Sequence, residues 1–153
     1  MPSGEACLLD SNILLRISKS DDPQYAAINH ALRALAEQGV RLCYTSQTLA
    51  EFWNACTRPI DKNGFGLSVA ETDRLAQVIE RNFEFLPDNH EVHNRWRSLL
   101  VAHNIQGLQV HDARLAASMY VYGVRQILTI NIRDFRRFRD LHVLDPREMS
   151  KQR

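Results

Sequence analysis

Four acidic residues, Asp10, Glu51, Asp112 and Asp134, are scattered along this chain, and three of them, Asp10, Asp112 and Asp134, fall where an apolar pattern starts or has just stopped. Asp10 ends the apolar run ACLL and is followed by Ser11 and Asn12. Asp134 follows Asn131 in LTINIRDF, so a second apolar run also ends in polar oxygen donors. Asp112 opens the helical pattern HDARLAASMYVYG, where Leu115, Ala116 and Met119 share its face. An ionised side chain on an apolar face is expensive to bury unless it is paired or coordinates a cation. Glu51 lies in SQTLAEFWNACT, away from the stripe of Leu49, Phe52, Trp53 and Cys56, and by itself reads as a solvated glutamate. If a fold gathered these carboxylates they would repel one another unless something positive stood between them. An all-oxygen donor set selects hard cations, chiefly Mg²⁺ or Mn²⁺. The chemistry such a site supports is phosphoryl transfer.

Short apolar runs alternating with helical periodicities supply the positioning elements. Strands are predicted at residues 6–9, 40–45, 83–86, 126–130 and 141–144. Helices are predicted at 23–38, stopped by Gly39; at 46–57, capped by Ser46 and ended by Arg58-Pro59; and at 67–82, with Ser68 and Glu71 as a capping box. Two more follow at about 89–104 and 110–122. Strands separated by helices of this length argue for parallel βαβ units with helices on both sheet faces, in one α/β domain over residues 1–153. In such sheets ligands bind beyond the carboxyl ends of the strands, where the strand order reverses. Asp10 is therefore expected at a site. With a fourth strand running to Ile130, Asn131 is expected first at that edge and Asp134 about one helical turn later.

Composition narrows the function classes. The net charge of +1 over 153 residues advertises no global attraction to nucleic acid, so any basic surface must be local. No apolar stretch is long enough to span a bilayer, and MPSGEACLL lacks the basic start and apolar core of a signal peptide. Three cysteines without C-x-x-C spacing read as small buried hydrophobes in a reducing cytoplasm. There is no phosphate-binding loop, no dinucleotide fingerprint and no nucleophile elbow, and His90 and His93 lack the pattern of a zinc helix. Local basic candidates are Arg133, Arg136, Arg137 and Arg139 beside the last motif, with Arg58, Lys62 and the NGFG loop as a possible opposite lip.

Taken in order, LLDSN, SQTLAEFWN, VHDARLAA and LTINIRDF resemble a PIN domain, the nuclease fold shared by toxin ribonucleases of VapBC-type toxin–antitoxin modules. The resemblance implies a three-layer α/β/α fold around a five-stranded, parallel, doubly wound sheet. It implies a cytoplasmic endoribonuclease that uses Mg²⁺ or Mn²⁺ and leaves 3′-hydroxyl and 5′-phosphate ends, with a cognate antitoxin and a possible homodimer. By the same resemblance Asp10, Glu51, Asp112 and Asp134 are the catalytic acids; Asp10, Asp112, Asp134 and Asn131 hold metal. Asn12 matches a polar residue of the family motif and, with Arg58, Arg133 and Arg136, is expected to touch substrate. Asn131 departs from the Asp frequent at its position. That keeps open a non-catalytic RNA- or protein-binding module with a weakened metal site. A phosphatase with Asp10 as nucleophile is a second rival, though it usually wants an acid where Asn12 stands.

Overall fold

The computed structural model describes residues 4–149 and Lys151. It contains strands β1 (Ala6–Leu9), β2 (Arg41–Thr45), β3 (Glu84–Leu86), β4 (Gln126–Leu128) and β5 (His142–Leu144). The helices are α1 (Ser11–Ile17), α2 (Tyr25–Glu37), α3 (Ser46–Thr57), α4 (Val69–Asn82), α5 (His90–Ala102), α6 (Gln109–Tyr122) and α7 (Pro146–Met149). All strand pairs are parallel, in the order β3-β2-β1-β4-β5. The chain winds outward from β1 to β3, then returns to lay β4 against the other side of β1. The reversal point therefore lies between β1 and β4, paired through Leu8 with Ile127 and Leu9 with Leu128.

Period-two alternation explains why a four-residue strand can anchor the molecule. Ala6 and Leu8 belong to one core, with Val92, Leu99, Leu115 and Met119 of α5 and α6. Cys7 and Leu9 belong to the other, with residues of α1, α2, α3 and α4. Both faces of β1 are thus covered, as its unbroken apolar sequence requires. Emptying either core is costly: Leu8→Ala should remove about 2–5 kcal/mol. The five-stranded parallel α/β architecture is the one expected from the sequence. The cysteines are buried and free.

Local chemistry sets the boundaries. Gly39 follows α2 at φ +79°, a left-handed position that glycine occupies without steric penalty, and Val40 N–H closes back on the Leu35 carbonyl. Ser68 and Glu71 form the expected capping box of α4. Helix α3, by contrast, is capped by Thr45, not Ser46: Thr45 accepts from the Thr48 N–H while the Thr48 hydroxyl accepts from Thr45 N–H. Thr45 is the last residue of β2, so strand and cap share a residue. Strand β4 ends at Leu128, short of the expected end at Ile130. Helices α1 and α7 are short, and periodicity did not define them. Among the described residues no helix is long and apolar enough to cross a membrane.

Candidate active site

Asp10 continues β1 by one hydrogen bond, its N–H donating to the Leu128 carbonyl at 3.1 Å. Its carboxylate then caps α1. Oδ1 accepts from Ser11 N–H at 2.8 Å, and Oδ2 accepts from the Thr129 hydroxyl at 2.8 Å and the Asn12 amide at 3.3 Å. The capping reading and the site reading of Asp10 are therefore one arrangement. Thr129 uses its full capacity, donating to Asp10 while accepting from Asn12 at 3.1 Å and from Asn131 N–H at 3.0 Å. Asn12 also accepts from Ile130 N–H at 3.2 Å. Both ends of its side chain are thus occupied in joining the tips of β1 and β4, a positioning task. Only 6% of Asp10 is exposed.

The other acids arrive from separate elements. Glu51 lies on α3, which starts where β2 ends. Asp112 stands in the first turn of α6, where the helix dipole favours an anion, while Ala113, Leu115, Ala116 and Met119 anchor the helix below it. Asp134 rides on a 3₁₀ turn, Ile132–Phe135, pinned by buried Phe135. Among the described residues the carboxylates of Glu51, Asp112 and Asp134 accept no hydrogen bond, and Glu51 and Asp112 are half-buried. Asn131 begins that turn and is exposed, as are Arg133, Asp134 and Arg136.

Electrostatics ties the four together. Burial pushes the Asp10 carboxyl up to about 6, against the Thr129 and Ser11 hydrogen bonds, and the charges of Glu51 and Asp134 push it further. Asp112 is pushed up to about 7, first by burial and then by Asp134, Asp10 and Glu51, with Arg137 opposing. Each elevated carboxyl thus feels two or all three of the other acids. Among the described residues no three Asp, Glu, His or Cys side chains converge tightly enough to hold a metal ion as they stand. The donor chemistry nonetheless fits a hard divalent cation: one carboxylate is held by hydrogen bonds, three have oxygens that accept none among the described residues, and positive charge between them would relieve the repulsion.

Arg58 is the C-cap of α3, seven residues and about 10 Å along the helix axis beyond Glu51 at 1.5 Å per residue. Its guanidinium donates to the Asn63 carbonyl, and a Cβ on Gly64 would stand 2.0 Å from the Arg58 carbonyl oxygen, so this loop is folded tightly onto itself. Thr129 is a site residue that sequence reasoning passed over. Its signal was a lone hydroxyl in the run QILTI, in a strand with no solvent face.

A family model described as the PIN domain matches residues 7–141. No curated protein matches the sequence. Among solved structures, VapBC2 from Rickettsia felis, bound to a promoter DNA fragment, aligns with a TM-score of 0.67 at 17% identity over 92% of this chain and 98% of that one. FitAcB from Neisseria gonorrhoeae gives 0.62 at 22% identity, covering 92% and 97%. VapC20 from Mycobacterium tuberculosis, described as a Sarcin-Ricin loop cleaving toxin, gives 0.58 at 13% identity, covering 79% and 86%. At these identities the likeness is one of fold.

Proposed function

This chain belongs to the PIN-domain family, and we propose that it is a Mg²⁺- or Mn²⁺-dependent endoribonuclease, the toxin of a toxin–antitoxin pair. The observation carrying this reading is the gathering of Asp10, Glu51, Asp112 and Asp134, from four elements, around the reversal point of the sheet, with two of them strained toward protonation. Fold neighbours described as a toxin–antitoxin complex, as a member of the VapBC family of toxin–antitoxin systems and as a Sarcin-Ricin loop cleaving toxin support the substrate and the partner.

In this reading Asp10, Asp112, Asp134 and the Asn131 side-chain carbonyl would hold the cation, which when bound would ease deprotonation of a water and offset charge on the scissile phosphate. Thr129 and Asn12 keep Asp10 oriented, while Glu51, open to solvent on one side, takes up the proton of the attacking water. The water oxygen bonds to phosphorus, the bond from phosphorus to the 3′ oxygen breaks, and solvent water supplies the proton that this oxygen takes up. The products are a 3′-hydroxyl and a 5′-phosphate. Arg133, Arg136 and Arg137 flank the acids and meet the RNA backbone, and a cavity of about 370 Å³ lined by Asn131, Arg133, Asp134 and Arg147 opens beside them. A cognate antitoxin fits the same acidic site through an arginine paired with the carboxylates, and a homodimer and a cytoplasmic location accord with this role.

A non-catalytic binding module is the second reading, favoured by neutral Asn131 and by the open spacing of the donors. Purified protein incubated with RNA and Mg²⁺ or Mn²⁺, with and without chelator, separates the two. Cleavage that chelator stops and Asp10→Asn abolishes is the expected result; RNA binding without cleavage under either metal would establish the module. Expressed alone, the wild-type chain should arrest growth and the Asp10→Asn chain should not.

A further inference from the structure

Gln47 joins two of the elements that carry the acids. It lies in the first turn of α3, four residues before Glu51, and residues four apart share a helix face. Its Nε2 donates to the backbone carbonyl of His111 at 2.9 Å. His111 immediately precedes Asp112 on α6. Helices α3 and α6 belong to opposite layers: Phe52 and Cys56 lie in one core, Ala113 to Met119 in the other. The main packing of α3 is on α1 and α4, and that of α6 is on α5. A single side chain thus reaches from one layer to the other at the end of the sheet that carries the acids.

The other end of this amide makes its role plainer. Gln47 Oε1 is enclosed, and among the described residues nothing donates to it. An enclosed acceptor without a partner is unfavourable. Turning the amide over would set that oxygen against the His111 carbonyl, which is worse. The hydrogen bond to His111 is therefore what keeps the side chain in place. A carbonyl has two lone pairs, so His111 can accept it without giving up its place in the helix.

The geometry points to Gln47 as a positioning residue, a strut between α3 and α6 that holds the start of α6, and with it the ligand Asp112, at a set spacing from the Glu51 charge, and thereby tunes the affinity of the site for a divalent cation. This rests on the metal-dependent reading of the site. The like charges of Glu51 and Asp112 repel one another, and the strut between their helices opposes that separation. It acts through Glu51 and Asp112 and touches neither substrate nor reacting atoms.

Two substitutions remove the strut differently. Gln47→Met keeps the length without a donor; Gln47→Asn keeps the amide but falls one methylene short. Mn²⁺ binding to the purified chain, followed by calorimetry, should weaken about tenfold in both, the usual loss when a group orienting metal ligands is removed. The Mn²⁺ concentration giving half-maximal RNA cleavage should rise by the same factor, while the rate at saturating Mn²⁺ falls far less. Wild-type Mn²⁺ affinity in both variants overturns the strut, as does loss of the saturating rate at unchanged affinity. A wild-type chain that neither binds Mn²⁺ nor cleaves RNA overturns the nuclease reading and the strut together. Binding by wild type that both variants match removes the strut alone.

Discussion

Replacing Asp112 by asparagine should make the metal-free protein more stable at pH 8 while destroying its activity. The carboxyl of Asp112 is lifted from 3.8 to about 7 by burial and by its acidic neighbours. At about 1.4 kcal/mol per tenfold change in proton affinity, full ionisation would cost the fold at most about 4 kcal/mol. Asp112 is only half-buried, so screening by solvent reduces this to about 1–2 kcal/mol. For a chain of this size that is a rise in melting temperature of roughly 3–6 °C. The folded state binds the Asp112 proton more tightly than the unfolded chain does. Wild type therefore loses this stability as pH climbs from about 4 to about 7. The amide of the Asp112→Asn variant does not titrate, so its advantage should be absent near pH 4 and complete by pH 8. Divalent cation should shrink it, because only wild type regains stability by binding. Calorimetric melts of both proteins at pH 4, 6 and 8, with and without Mg²⁺, measure all of this. A variant less stable than wild type at pH 8, or an advantage of equal size at every pH, would refute the claim that repulsion and burial destabilise this carboxylate.

Other substitutions probe the remaining parts of the site. Asp134→Asn should harm RNA cleavage more than Asn131→Ala, and Asn131→Asp should lower the Mg²⁺ concentration needed by adding a formal charge; a normal Asp134→Asn with a dead Asn131→Ala would make Asn131 the ligand and Asp134 a turn residue. Thr129→Val removes the donor to Asp10 and the acceptor for Asn12, so it should cost about 1–3 kcal/mol in denaturant melts and push the Asp10 carboxyl higher still. Thr45→Ala should cost about 1 kcal/mol through loss of the α3 cap, whereas Ser46→Ala should be nearly silent in the same melts.

What could be read from the chain alone was whatever depends on near neighbours in sequence. The apolar run ACLL, the helical rows of residues 110–122, the Ser68–Glu71 box and the stop at Gly39 each depend on residues a few positions apart, and each has its expected form. The placing of Asp10 at a strand's carboxyl end was legible for the same reason. Where local chemistry offered two equal solutions, the structure chose between them. Thr45 and Ser46 are both good caps, and pairing of Thr45 with Leu86 at the end of β2 decides that Thr45 is the residue between strand and helix. Strand order could not be read locally either. Only the packing of β4 beside β1 sets Thr129 against Asp10, across 119 residues of chain, and so explains a lone hydroxyl in an apolar run. For Arg58 the sequence offered a basic neighbourhood, and the length of α3 sets how far it stands from Glu51 along that helix. The residue types needed for a cation site were written along the chain. The distances between them belong to the tertiary structure, because the spacing of two carboxylates on different helices is set by how the layers pack and not by the number of residues between them.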